Sequence, residues 1–132
     1  MNHPRRVLIV ESDAQACEQM KRVFAAMNVT VAEARDLETA SDAAAELARN
    51  AAPPDLIVAR VTLPDGSGVQ VLNQIGEMFP DARQVMVSHF PKRLLISIPG
   101  FADRMAEFLQ AEFTDDQFRK VVERSFARTR TA

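Results

Sequence analysis

The chain has one cysteine, Cys17, among 132 residues. That excludes an intramolecular disulfide and a thiol-rich metal site, and the place of Cys17 within a helical apolar pattern marks it as buried filler. Charge of neither sign dominates: 16 Lys and Arg stand against 18 Asp and Glu, for a net −2. General nucleic-acid affinity needs a strong basic excess, so direct nucleic-acid binding is not expected. No apolar run reaches the length of a membrane span. The stretch Val7–Val10 is too short for the core of a signal peptide, so a cytoplasmic, reducing location is expected. Repeats, low-complexity blocks and linkers are missing as well. So are a Ser/His/Asp set and a cofactor motif, and no catalytic residue is assigned. Asp65-Gly66-Ser67-Gly68 lacks the Gly-Lys pair of a phosphate-cradling loop and is turn chemistry. His89 has no His, Cys or paired carboxylate spaced to help it bind a metal. What remains is one compact domain over residues 1–128 with a polar tail at 129–132, and a hydrophobic fraction of 47% gives it a core.

What is present is an alternation. Arg5–Val10 is a short run rich in β-branched residues and predicts a buried strand. Ser12-Asp13-Ala14-Gln15 has the pattern of a capping box, with Ser12 as N-cap. Ala16, Met20, Val23, Phe24 and Met27 then recur at helical spacing, and Asn28 can end that helix. Val29–Glu33 predicts a second strand. Asp36 is a plausible N-cap for an alanine-rich helix whose apolar face is Leu37, Ala40, Ala44, Leu47 and Ala51. Asp55–Val61 is the third and most apolar strand. Ser67 and Gln70 form a second capping box, before a helix carried by Val71, Leu72, Ile75 and Phe79. Gln84–Ser88 and Glu107–Gln110 predict the last two strands. Thr114 and Gln117 cap a final helix carried by Phe118, Val121, Val122 and Phe126. Alternating strands and helices imply an α/β fold, a doubly wound parallel sheet covered on both faces. Ligands of such sheets sit beyond the C-terminal strand ends, here Glu11-Ser12-Asp13, Arg60, Ser88-His89 and Ala111-Glu112.

Three segments carry a family resemblance: Val7-Leu8-Ile9-Val10-Glu11-Ser12-Asp13, the run from Pro54 to Gly68, and Glu107-Phe108-Leu109 leading into Phe113-Thr114-Asp115-Asp116-Gln117-Phe118. In this order and spacing they resemble a response-regulator receiver domain of the chemotaxis type. The resemblance implies the flavodoxin-like order 2-1-3-4-5 for five parallel strands. It also implies an aspartate that accepts a phosphoryl group at the end of the third strand, where this chain has Arg60. A guanidinium stays protonated and has no lone pair with which to attack phosphorus. In the acidic pair that holds Mg²⁺, Glu11 matches the first acid and Ser12 stands for the second, with Asp13 one step further on. Ser88 keeps the hydroxyl that follows the fourth strand. The family's Lys and cis-Pro are replaced by Ala111 and Glu112. Without proline a cis bond costs roughly 3 kcal/mol, so a trans peptide is expected there.

Glu11 and Arg60 cancel, and Ser12 and Ala111 are neutral, so these four positions carry no net charge. Mg²⁺ needs anionic oxygen ligands. A cation about 4 Å away would oppose it by on the order of 4 kcal/mol. The expectation is therefore a degenerate receiver that has lost Mg²⁺ and in which Arg60 bridges to Glu11 and Asp13. Pro91 and Pro99 confine the fourth helix to a short, irregular piece. In the family, the face of the fourth helix, fifth strand and fifth helix receives partners. Leu94, Leu95, Ile96, Ile98 and Phe101 exceed what a short helix can bury, and Phe108 holds the place of an aromatic that reorients on activation. These residues are the partner-surface candidates. The implied function is a receiver-like module of a two-component or phosphorelay system that acts through protein contacts in a bacterial pathway, with a homodimer possible. The alternative is a phosphorylation-responsive receiver with an unorthodox acceptor, Ser88 or Asp65.

Overall fold

A computed structural model describes residues 5–95 and 107–127. The elements run β1 (Arg6–Val10), α1 (Ala14–Ala26), β2 (Thr30–Ala34), α2 (Leu37–Arg49), β3 (Leu56–Arg60), β4 (Thr62–Leu63), β5 (Gly66–Ser67), α3 (Gly68–Met78), β6 (Arg83–Ser88), α4 (Lys92–Leu95), β7 (Glu107–Gln110) and α5 (Asp115–Ala127). Five strands form one parallel sheet in the order β2-β1-β3-β6-β7. β4 and β5 pair only with each other, in a small antiparallel hairpin where a plain turn was expected. Setting that hairpin aside, the sheet order is the expected 2-1-3-4-5.

Side chains alternate across each strand. Leu8, Val10, Ile57, Ala59 and Met86 join Ala40 and Ala44 of α2 and Val71, Leu72 and Ile75 of α3 in one core layer. Val7, Ile9, Val58, Val85 and Val87 join Met20 and Phe24 of α1 and Phe118 and Val122 of α5 in the other. The Phe118 ring packs edge-on to Phe24, with centroids 5.2 Å apart, and stacks on Phe113 at 5.4 Å. β3 lies between both layers, and all five of its residues are buried. That is why its sequence is a continuous apolar run.

The helix starts follow local chemistry. Ser67 with Gln70, and Thr114 with Gln117, form the reciprocal capping bonds expected of them. Asp36 caps α2 and forms a reciprocal box with Thr39. For α1 the N-cap is Asp13, one residue later than expected, and its carboxylate accepts from Gln15 N–H at 3.2 Å. The reason is Glu11, whose Oε2 accepts Asp13 N–H at 3.0 Å and turns the chain before the helix begins. Asn28 takes a left-handed conformation (φ 60°) just past the end of α1, one that asparagine tolerates. Ala51, expected on the α2 face, lies beyond the helix at φ 52° and is exposed. The helix stops at Arg49, before Pro53-Pro54.

Candidate functional site

The C-terminal ends of β1, β3, β6 and β7 bring Glu11, Arg60, Ser88 and Ala111 to one edge of the sheet. Glu11 and Arg60 are both buried, at 2% and 8% exposure. Arg60 Nε donates to Glu11 Oε2 in a close ion pair. The same oxygen accepts Asp13 N–H, whereas Glu11 Oε1 is enclosed without a hydrogen-bond partner. The Asp13 carboxylate is committed to the first turn of α1, where it accepts Gln15 N–H. Thus Arg60 meets Glu11 as expected, and Asp13 contributes its backbone to the pair rather than its charge.

Ser12 is exposed, free of the capping role expected of it. Ser88 is buried, and its Oγ accepts Phe90 N–H at 2.9 Å, fastening the end of β6 to the loop beyond it. Ala111 N–H donates to Ser88 O at 2.8 Å, and Ala111 is partly buried. The Ala111–Glu112 peptide is cis, so the expectation of a trans bond from the dipeptide's own preference does not hold there. His89 is an exposed loop residue.

The divalent cation that the family implies does not suit these residues. Glu11, the carboxylate that would hold it, already faces a buried guanidinium. Position 12 brings a neutral hydroxyl, and Asp13 is engaged at the helix cap. A hard cation needs several anionic oxygens free to converge.

Asp65 has a role that spacing does not reveal. Its two oxygens accept the N–H groups of Leu37 at 2.7 Å and Glu38 at 3.1 Å, tying the β4–β5 hairpin to the start of α2. The partners lie 27 and 28 residues away, and no local pattern links them. Cys17 also departs from expectation. It is half-buried and donates from Sγ to Glu33 Oε2 at 3.3 Å. Burial first, and then that hydrogen bond, push its thiol up to about 12. The Lys21 ammonium, 3.2 Å from Glu33, holds the Glu33 carboxyl below its ordinary range.

Leu94 of α4 is 52% exposed, and Phe108 of β7 is partly buried against the core layer of α2 and α3. Leu95 belongs to α4, whereas Ile96, Ile98 and Phe101 lie outside the described residues. The structure adds Phe90, 55% exposed and four residues before Leu94, which sequence reasoning passed over. Arg124 of α5 pairs with Glu107 of β7 at 3.0 Å.

This arrangement of elements and strand ends is that of a receiver. The family model of the response regulator receiver domain matches residues 7–123. The chain belongs to that family, whose members are signalling modules of two-component systems. It is similar in fold to a putative response regulator from Chloroflexus aurantiacus J-10-fl (21% identity, 96% of this chain and 100% of that one, TM-score 0.77). A two-component response regulator from Clostridium difficile is also similar (17% identity, 94% and 97%, TM-score 0.78). So is a CheY-like receiver domain protein from Methanospirillum hungatei JF-1 (19% identity, 94% and 95%, TM-score 0.73). No curated protein is significantly similar to the chain. Among the described residues no helix is long and apolar enough to cross a membrane.

Proposed function

We propose that this chain is a degenerate receiver that transmits its signal through protein contacts, without a phosphoryl group at the end of β3 and without Mg²⁺. The observation that carries the reading is the buried ion pair of Arg60 with Glu11. It puts a permanent cation where the family resemblance puts the nucleophilic carboxylate, and it occupies the acid that would bind metal. The two substitute acceptors are poorly disposed. Ser88 is buried and hydrogen-bonded to the loop backbone. Asp65 has both oxygens engaged by the start of α2. The exposed apolar side chains of Phe90 and Leu94 are offered to a protein partner, a second copy of the chain included.

Incubation with acetyl phosphate and Mg²⁺, followed by intact mass, tests the reading. The mass should not change. A stoichiometric gain of one phosphoryl group overturns it, and peptide mapping would then name the acceptor. Titration with Mn²⁺ tests the metal half, with backbone amides near Glu11 expected to show no saturable response.

A further inference from the structure

The Arg60–Glu11 pair leaves part of the guanidinium unused. Arg60 donates from Nε, and no residue among those described accepts from its Nη1 or Nη2. Among the described residues the enclosed side-chain atoms without partners are Glu11 Oε1 and Gln84 Oε1, so the Nη groups are not sealed in the interior. Arg60 lines a cavity of about 260 Å³ together with Asp13, Gln15, Ala16, His89, Ala111 and Glu112. One wall of this cavity is the first turn of α1, a 13-residue helix whose positive dipole end favours an acceptor and where the Asp13 carboxylate already takes the N–H of Gln15. Two independent features thus converge on one space: a nine-tenths-buried guanidinium with a free fork, and a helix N-terminus.

The charges select among possible occupants. Arg60 is balanced by Glu11, and the exposed Asp13 and Glu112 carboxylates stand at the rim. A dianion would be repelled by that rim about twice as strongly as a monoanion at the same distance, because Coulomb energy scales with charge. A carboxylate is planar, carries a single charge and presents two oxygens that match the end-on Nη1/Nη2 fork. We infer that the cavity beside Arg60 is a carboxylate-binding site, taking the acidic side chain or C-terminus of a protein partner or a small free carboxylate. The inference deepens the proposed function by naming what a partner presents to the old phosphorylation edge. It requires only that Arg60 stays in place, and its test reads binding independently of phosphorylation.

The test is a ¹⁵N NMR titration of the full chain at constant ionic strength, with sodium acetate compared against sodium chloride, inorganic phosphate and a short acidic peptide. Acetate should produce saturable shifts of the Arg60 side-chain resonances and of backbone amides in Asp13–Ala16, His89 and Ala111–Phe113. A dissociation constant on the order of millimolar is what one charge-assisted fork to so small a ligand allows. Phosphate should bind at least several-fold more weakly. Arg60→Lys, which keeps the charge and loses the fork, should weaken acetate about tenfold or more. Ala111→Leu, which narrows the cavity without touching the ion pair, should do the same. A peptide that binds much more tightly than acetate identifies a protein source, and equal affinities identify a free carboxylate. The inference is overturned if chloride reproduces the acetate shifts, if they fail to saturate, if phosphate binds more tightly, or if acetate binding survives in both variants.

Discussion

Gly68 lies directly against the backbone of Arg60: a Cβ built on it would come within 2.3 Å of the Arg60 carbonyl oxygen and 2.9 Å of its carbonyl carbon. The first residue of α3 thus sits on the last residue of β3, and the contact holds because position 68 has no side chain. Gly68 N–H also donates to Val61 O at 2.8 Å, which fixes the start of α3 to the end of the strand.

Gly68→Ala should therefore destabilise the domain by about 1–3 kcal/mol, the range for overfilling a packed site. The obstacle is backbone, which cannot swing away as a side-chain tip can. Urea unfolding followed by circular dichroism measures it. An effect of a few tenths of a kcal/mol would mean that α3 shifts freely over β3.

The buried pair makes a sharper energetic prediction. Arg60→Met leaves the Glu11 carboxylate in the interior with no counter-charge, and Glu11→Leu leaves the guanidinium in the same state. Each single change should cost about 3–5 kcal/mol. The double replacement removes both charges together and should recover most of that loss, because the pair's own desolvation disappears with it. A double-mutant cycle in urea tests this coupling. Additive single costs would mean that the two groups do not depend on each other.

Asp65 offers a separate test of how the hairpin is held. Its carboxylate supplements the Asp36 cap by accepting the N–H groups of Leu37 and Glu38. Asp65→Ala should cost about 1 kcal/mol, the scale of losing a helix N-terminal acceptor. The exchange of those two amides with deuterium should accelerate more than that of amides in α5. Uniform acceleration across the chain would assign the effect to global stability instead.

Cys17 sets a pH dependence. The folded thiol is raised from its ordinary 9.0 to about 12, so at intermediate pH the unfolded chain loses a proton that the folded chain keeps. The resulting stability contribution is complete below the unfolded value. It is lost as pH rises through that window, so stability should fall with pH. Thiolate absorbance in the ultraviolet should stay low in the folded protein at pH 9–10, and alkylation should be slow. Glu33→Gln removes both the acceptor charge and its repulsion of a thiolate, so it should bring the titration down. A Cys17 that titrates near 9 in the native protein would refute the account.

The local features of this fold were legible in the chain because they depend on neighbours. The capping residues Asp36, Ser67 and Thr114 stand one turn from the amides or side chains they bind. The apolar faces of α1, α3 and α5 follow from spacing alone, as does the doubly buried character of β3. Where the local pattern pointed to the wrong residue, a distant contact was the reason. Ser12 was the expected cap of α1, and the Glu11 carboxylate, held by Arg60 from β3, moves the cap to Asp13.

Sequence alone determined that a cation, Arg60, ends an otherwise apolar third strand, and that five strands alternate with helices. It supplied the charge inventory of the strand ends as well, because residue identities are independent of conformation. Only the tertiary structure decided where those charges go: Arg60 inward onto Glu11, Asp65 onto α2, Cys17 onto Glu33. Each of these pairs joins segments 16 to 49 residues apart. The parallel sheet brings successive strand ends together at one edge, and no period along the chain encodes a contact made across it.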